Sequence, residues 1–133
     1  MDELTIEKLM KMKLKELQDV AQELKVEKIY KHSKEELLLK VIVENGRKNR
    51  VNYGFGELDV LGDGYGFLRN SSVGNDIYIS ASQINKFSLR IGDMVIGDIR
   101  EPVGEEKNYA ILKITLVNGM SPEKAKLRPK FDG

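Results

Sequence analysis

Apolar residues Leu9, Leu14, Leu17, Val20, Ala21 and Leu24 recur mostly at intervals of three and four, with Lys, Glu and Gln between them. That spacing predicts amphipathic helix over much of the first 46 residues, interrupted around Val26–Tyr30. A second helix is predicted from Ser33, which Glu36 follows at capping-box spacing, with Leu37, Leu38, Val41 and Ile42 as its apolar stripe. Asn45-Gly46 is the expected stop, and residues 47–52, rich in Arg and Lys, read as a linker. Beyond it the apolar period shortens towards two, as in Leu58-Asp59-Val60, Ile77-Tyr78-Ile79 and Val95-Ile96-Gly97-Asp98-Ile99. Strands are predicted at roughly 53–61, 64–69, 76–80, 93–101 and 108–117, separated by Gly- and Pro-bearing turns, with a short helical turn over Ala81–Phe87. Five short strands within 53–119 favour a small closed barrel over an open sheet, which makes the fold class α+β. Residues 120–133 show no periodicity and read as a second linker.

Composition narrows the setting. With 41% apolar residues the chain can build a core, and with no cysteine it has neither disulfides nor thiolate metal sites, so a reducing, cytoplasmic location is expected. Met1-Asp2-Glu3-Leu4 lacks the basic and apolar regions of a signal peptide. The longest apolar stretch, Leu37–Val43, is too short for a bilayer and is broken by Lys40, so no membrane partner is expected. The 22 basic and 21 acidic side chains nearly cancel. A duplex-DNA binder held by phosphate neutralisation carries a basic excess. A nucleic-acid role here therefore has to lean on base contacts, which single strands offer.

Two strands carry the candidate chemistry. In Asp63-Gly64-Tyr65-Gly66-Phe67-Leu68-Arg69, Tyr65 and Phe67 share one face, while the glycines allow close approach on the other. The same pattern fits two core aromatics at a sheet corner. In Asp76-Ile77-Tyr78-Ile79-Ser80 the isoleucines account for the core, leaving Asp76 and Tyr78 together outside. A solvated edge tyrosine would look the same.

These motifs, with Ser82-Gln83-Ile84, Phe87-Ser88-Leu89-Arg90, Gly92-Asp93, Tyr109–Lys113 and Val117-Asn118-Gly119, resemble the N-terminal RNA-binding domain of the bacterial transcription termination factor Rho. The likeness extends into the helical start through Leu17, Ala21, Leu24, Lys34, Glu36 and Leu37. A weaker likeness is to cold-shock domains, which lack the helical preface and the segment 83–93. The resemblance implies a small helical subdomain followed by a five-stranded OB-fold (cold-shock-like) barrel that binds single-stranded, cytosine-rich RNA, with single-stranded DNA a further ligand. It also implies RNA-site roles for Leu61, Gly64, Tyr65, Gly66, Phe67, Leu68, Arg69, Asp76, Ile77, Tyr78, Glu106, Lys107 and Asn108. Tyr65 and Phe67 would form a stacking platform, Tyr78 one wall of a base pocket, and Leu61 an apolar contact. Arg69 and Asp76 would read a base edge, with aspartate accepting from cytosine N4; an ordinary cross-strand ion pair is the bland alternative. Lys86, Arg90, Arg100 and Lys113 are candidate phosphate contacts. At the end of Glu106-Lys107-Asn108 the family commonly carries an aromatic, so Asn108 is a departure, and neighbouring Tyr109 points to the opposite face.

The full-length parent implied by the resemblance is a hexameric, RNA-dependent ATPase and helicase using ATP and Mg²⁺. This sequence contains no Gly-x-x-x-x-Gly-Lys-Ser/Thr loop, so the chain itself is expected to be a monomeric, cofactor-free binding module rather than an enzyme, with residues 120–133 leading towards a motor it does not contain. His32, the only histidine, precedes the Ser33 cap and reads as structural, and no catalytic set or metal cluster is evident. The rival readings are a free-standing cold-shock-like RNA chaperone, an enzyme, for which the sequence offers little, and a protein-interaction module built on the helices.

Overall fold

A computed structural model of the chain describes residues 4–129. It divides into two compact units, Met1–Tyr53 and Gly54–Gly133. In the first, α1 (Ile6–Lys11), α2 (Leu14–Glu23) and α3 (Lys34–Lys48) surround a core that includes Leu9, Leu17, Ala21, Leu37, Leu39, Val41 and Ile42. The helix expected to run unbroken to Leu24 is two helices. Met12 and Lys13 are extended, and the Lys13 N–H donates to Glu16 Oε1 at 3.2 Å, so the chain restarts α2 with its own cap. Ser33 caps α3 as predicted, accepting from the Glu36 N–H at 3.2 Å.

The end of α3 departs from expectation. It continues past Asn45-Gly46 to Lys48 and stops with Arg50 in the left-handed region, φ 63°. The Val51 N–H donates to the Gly46 carbonyl at 2.8 Å and the Arg50 N–H to the Arg47 carbonyl at 3.2 Å, the paired bonds of a Schellman cap. Gly46 is a glycine for a different reason. It is buried under Tyr53, and a Cβ there would lie 2.3 Å from the tyrosine ring.

The second unit is a closed barrel of β1 (Tyr53–Val60), β2 (Gly66–Arg69), β3 (Ile77–Ile79), β4 (Met94–Arg100) and β5 (Ala110–Val117), in the order β1-β2-β3-β5-β4. Only β3 and β5 run parallel, in register at Tyr78 and Ala110. The β1–β4 seam closes through Leu58 N–H to Asp93 O and Gly92 N–H to Leu58 O, both 2.8 Å. Inward residues Leu58, Leu68, Ile77, Ile79, Val95, Ile99, Ile111 and Ile114 fill the barrel, with Ile84 of α4 (Ala81–Lys86) and Ala125 of α5 (Pro122–Lys126) added to the same core.

That last contact corrects the reading of the segment after Met120 as linker. Ser121 caps α5, accepting from the Lys124 N–H at 3.2 Å, and Pro122 stands at its first turn. Arg128 then grips Asp93 with both terminal nitrogens, at 2.8 and 2.9 Å, while Arg90 Nη2 donates to the Pro129 carbonyl at 2.6 Å. Residues 130–133 of the expected linker lie outside the described residues. No described helix is long and apolar enough to cross a membrane.

Candidate nucleic-acid interface

The outer face of β1, β2 and β3 is organised by register. Asp59 stands opposite Phe67, and Phe67 opposite Tyr78. Because β3 turns Ile77 and Ile79 fully inward, Tyr78 is left 38% exposed on the outside. Tyr65, Phe67 and Tyr78 meet there as three mutually contacting rings. Their centroids lie 5.9 Å apart for Tyr65–Tyr78 and 6.0 Å for the other two pairs, with tilts of 38°, 78° and 72°. Edge-to-face and tilted contacts of this kind are the favoured ones, so each ring restricts the others. Gly66 permits the close pairing beneath them, since a Cβ there would lie 2.4 Å from the Asp59 carbonyl oxygen.

Arg69 closes one end of this platform. Its Cζ lies 5.3 Å from the Phe67 centroid, inside cation–π range. Nη1 donates to Asp76 Oδ2, and Nε and Nη2 donate to Asp59 Oδ2 at 3.3 and 3.1 Å. Asp76 first, and then Asp59, hold the guanidinium above its ordinary pKa. Asn108 Nδ2 donates to the Asp76 backbone carbonyl at 2.9 Å and so ties the β4–β5 connection to the start of β3. At the position where the resemblance implies an aromatic, this chain has a side-chain amide that bonds the Asp76 backbone. Tyr109 packs against the barrel core and does not substitute for the ring.

The sequence-predicted residues thus separate into groups. Tyr65, Phe67, Arg69, Asp76, Tyr78 and Asn108 come together on one face. Leu61 and Gly64 shape the β1–β2 turn, with Leu61 N–H to Tyr65 O at 2.8 Å and Gly64 N–H to Leu61 O at 2.9 Å. Leu68 and Ile77 point into the core with no exposed surface, so they support the face from beneath. Glu106 is bound by Arg100 at 2.7 and 2.9 Å and by the Val103 N–H at 2.9 Å. The Arg100 guanidinium, then that N–H, hold the Glu106 carboxyl far below the usual range, at about 2. Lys107 beside it is exposed.

Of the candidate phosphate contacts, Arg100 is committed to Glu106, and Arg90 to the carbonyls of Arg128 and Pro129. Lys86 lies 5.2 Å from the Phe87 ring centroid, and Lys113 is exposed on β5 opposite Asp98. Asp59 was absent from the sequence-predicted set. Its signal lay in the β1 alternation, which turns Glu57 and Asp59 outward while Leu58 points in. Among the described residues, no group of three or more His, Asp or Glu side chains is arranged to hold a metal ion.

A family model described as the Rho termination factor RNA-binding domain matches residues 54–123. The transcription termination factor Rho of Streptobacillus moniliformis is 39% identical over 132 residues, covering 99% of this chain and 32% of that protein. Rho of Bacillus subtilis is 40% identical over 135 residues, covering 98% and 32%, and Rho of Aquifex aeolicus 38% over 133 residues, covering 95% and 30%. The chain therefore spans about a third of the length of these relatives.

Proposed function

The chain belongs to the family of Rho termination factor RNA-binding domains, and from that premise we propose that it captures single-stranded, cytosine-rich RNA for a bacterial, cytoplasmic termination factor. The observation that carries the base preference is the three-ring platform with the Arg69–Asp76 pair at its edge. Bases stack on Tyr65, Phe67 and Tyr78, and each stacked base contributes about 1–3 kcal/mol. At the platform edge Asp76 accepts from cytosine N4 while Arg69 donates to the ring acceptors. Uracil places its O4 oxygen where cytosine has the amino group, and a carboxylate repels it.

Affinity comes chiefly from stacking and base-edge bonds rather than from phosphates. Net charge is only +1, and Arg90 and Arg100 are already engaged within the barrel unit. In the full-length protein the captured transcript passes to a hexameric ATPase motor, which supplies the ATP and Mg²⁺ chemistry.

Titration of the chain with oligo-C and oligo-U of equal length tests the reading. The wild type should prefer oligo-C, with chemical-shift changes concentrated between residues 61 and 113. Asp76→Asn should erode the preference by about 1–3 kcal/mol, because an amide can donate to O4. Equal tolerance of both oligomers by the wild type would favour a general RNA chaperone instead.

A further inference from the structure

Arg69 pairs diagonally across the sheet rather than with the acidic residue directly opposite it. Glu57 stands directly opposite it in the β1–β2 register, yet the guanidinium turns back along the strand to Asp59, the residue opposite Phe67. That turn lays the guanidinium over the Phe67 ring, inside the platform. Three of its five N–H bonds are committed, to Asp59 through Nε and Nη2 and to Asp76 through Nη1. One N–H on each terminal nitrogen remains. Stability does not account for the arrangement, since the Arg69 and Asp59 side chains are 40% and 43% exposed and such pairs contribute little.

We propose that Asp59 is a positioning residue for base readout: by holding Arg69 side-on, it presents the remaining N–H donors to a base edge and keeps the guanidinium off the phosphate backbone. The proposal rests on the RNA-binding reading above. With Nε fixed, the guanidinium plane cannot swing outward, so the donors left for a ligand stay beside Asp76. Loosened from Asp59, the guanidinium keeps only its Nη1 bond to Asp76 and can pivot about it towards a phosphate, whatever base that phosphate carries. Asp59 thereby exchanges unselective attraction for base selectivity.

Asp59→Asn removes the charge with little change of shape. It is to be titrated against oligo-C and oligo-U over a range of salt, after a dispersed amide spectrum has shown that the fold is kept. The C-over-U affinity ratio should fall by roughly five- to tenfold, oligo-U binding should hold or rise, and the slope of log affinity against log salt should steepen by about 0.7, the value for one added phosphate contact on a single strand. Asp59→Glu, which keeps a carboxylate, should restore most of the ratio. An unchanged ratio in Asp59→Asn, or an equal loss for both oligomers, overturns the proposal. A second readout needs no RNA. In the free wild-type chain the Arg69 Nε–H should exchange slowly enough with water to give a nitrogen-correlated signal at neutral pH, and Asp59→Asn should broaden it away. Equal signals in both proteins also overturn the positioning role. Failure of the wild type to bind either oligomer defeats the RNA-binding reading itself, and the Nε–H comparison still decides whether Asp59 holds Arg69.

Discussion

At the scale of single residues, alternation along a strand was the most legible signal. Ile77 and Ile79 claim the core, which leaves Tyr78 outside with its ring against Tyr65 and Phe67. Tyr78→Ala should therefore weaken oligo-C binding by about 1–3 kcal/mol and cost less in stability than a core truncation, because the ring is 38% exposed. Parallel RNA titration and urea unfolding of the variant measure both effects; unchanged affinity would reduce Tyr78 to a solvated side chain. What alternation could not reveal is a partner distant in sequence. Asn108 bonds the backbone carbonyl of Asp76, 32 positions away, and a carbonyl oxygen leaves no mark on residue type. Asp59 was hidden for a related reason: its importance depends on Arg69 choosing it over the directly opposed Glu57, a rotamer choice no sequence period encodes.

At the scale of elements, strands were legible, helix starts only in part (Ser33 was read as a cap, the starts of α2 and α5 were not), and helix ends were not. Serine caps at Ser33, Ser80 and Ser121 mark three starts chemically. The ends of α2, α3 and α4 instead carry Lys25, Arg50 and Ser88 at φ 62°, 63° and 51°, positions where a glycine would have given the signal. Each cap is closed by an N–H returning to the carbonyl five residues back, Val26 to Ala21, Val51 to Gly46 and Leu89 to Ile84. The glycine that did look like a stop, Gly46, is there for packing. The two substitutions should consequently move stability in opposite directions. Arg50→Gly relieves a left-handed non-glycine residue and should stabilise the helical unit by about 0.5–1 kcal/mol. Gly46→Ala drives a methyl into the Tyr53 ring and should cost about 1–3 kcal/mol. Urea midpoints for the pair check this; a Gly46→Ala variant no less stable than the wild type would mean that the Tyr53 ring yields to the methyl.

For the molecule as a whole, the least anticipated structure lies after the last strand. Asp93 is only 5% exposed. Burial pushes its carboxyl up, but Arg128, the Arg90 N–H and Asn118 together hold it below the usual value. A carboxylate depressed in the folded state contributes stability that is complete above its unfolded pKa of about 3.9 and lost as pH falls through the lower folded value. Arg128→Met should strand the buried charge and cost about 3 kcal/mol at neutral pH. The deficit should shrink below about pH 4, where protonation begins to remove the charge that Arg128 serves. Urea unfolding of wild type and variant across that range is the check; a deficit independent of pH would assign the loss to packing.

The same clasp has a mechanical consequence. Tension applied at Pro129 is expected to load more than the end of β5. It runs sideways through Arg128 and Arg90 into the turn before β4, where Asp93 also bonds Leu58 across the β1–β4 seam. Neither β2 nor β3, which carry Phe67 and Tyr78, is hydrogen-bonded to β4. The clasp thus anchors the segment around Pro129 to strands other than those that carry Phe67 and Tyr78, so a tug there is expected to reach the β1–β4 seam before the ring-bearing strands.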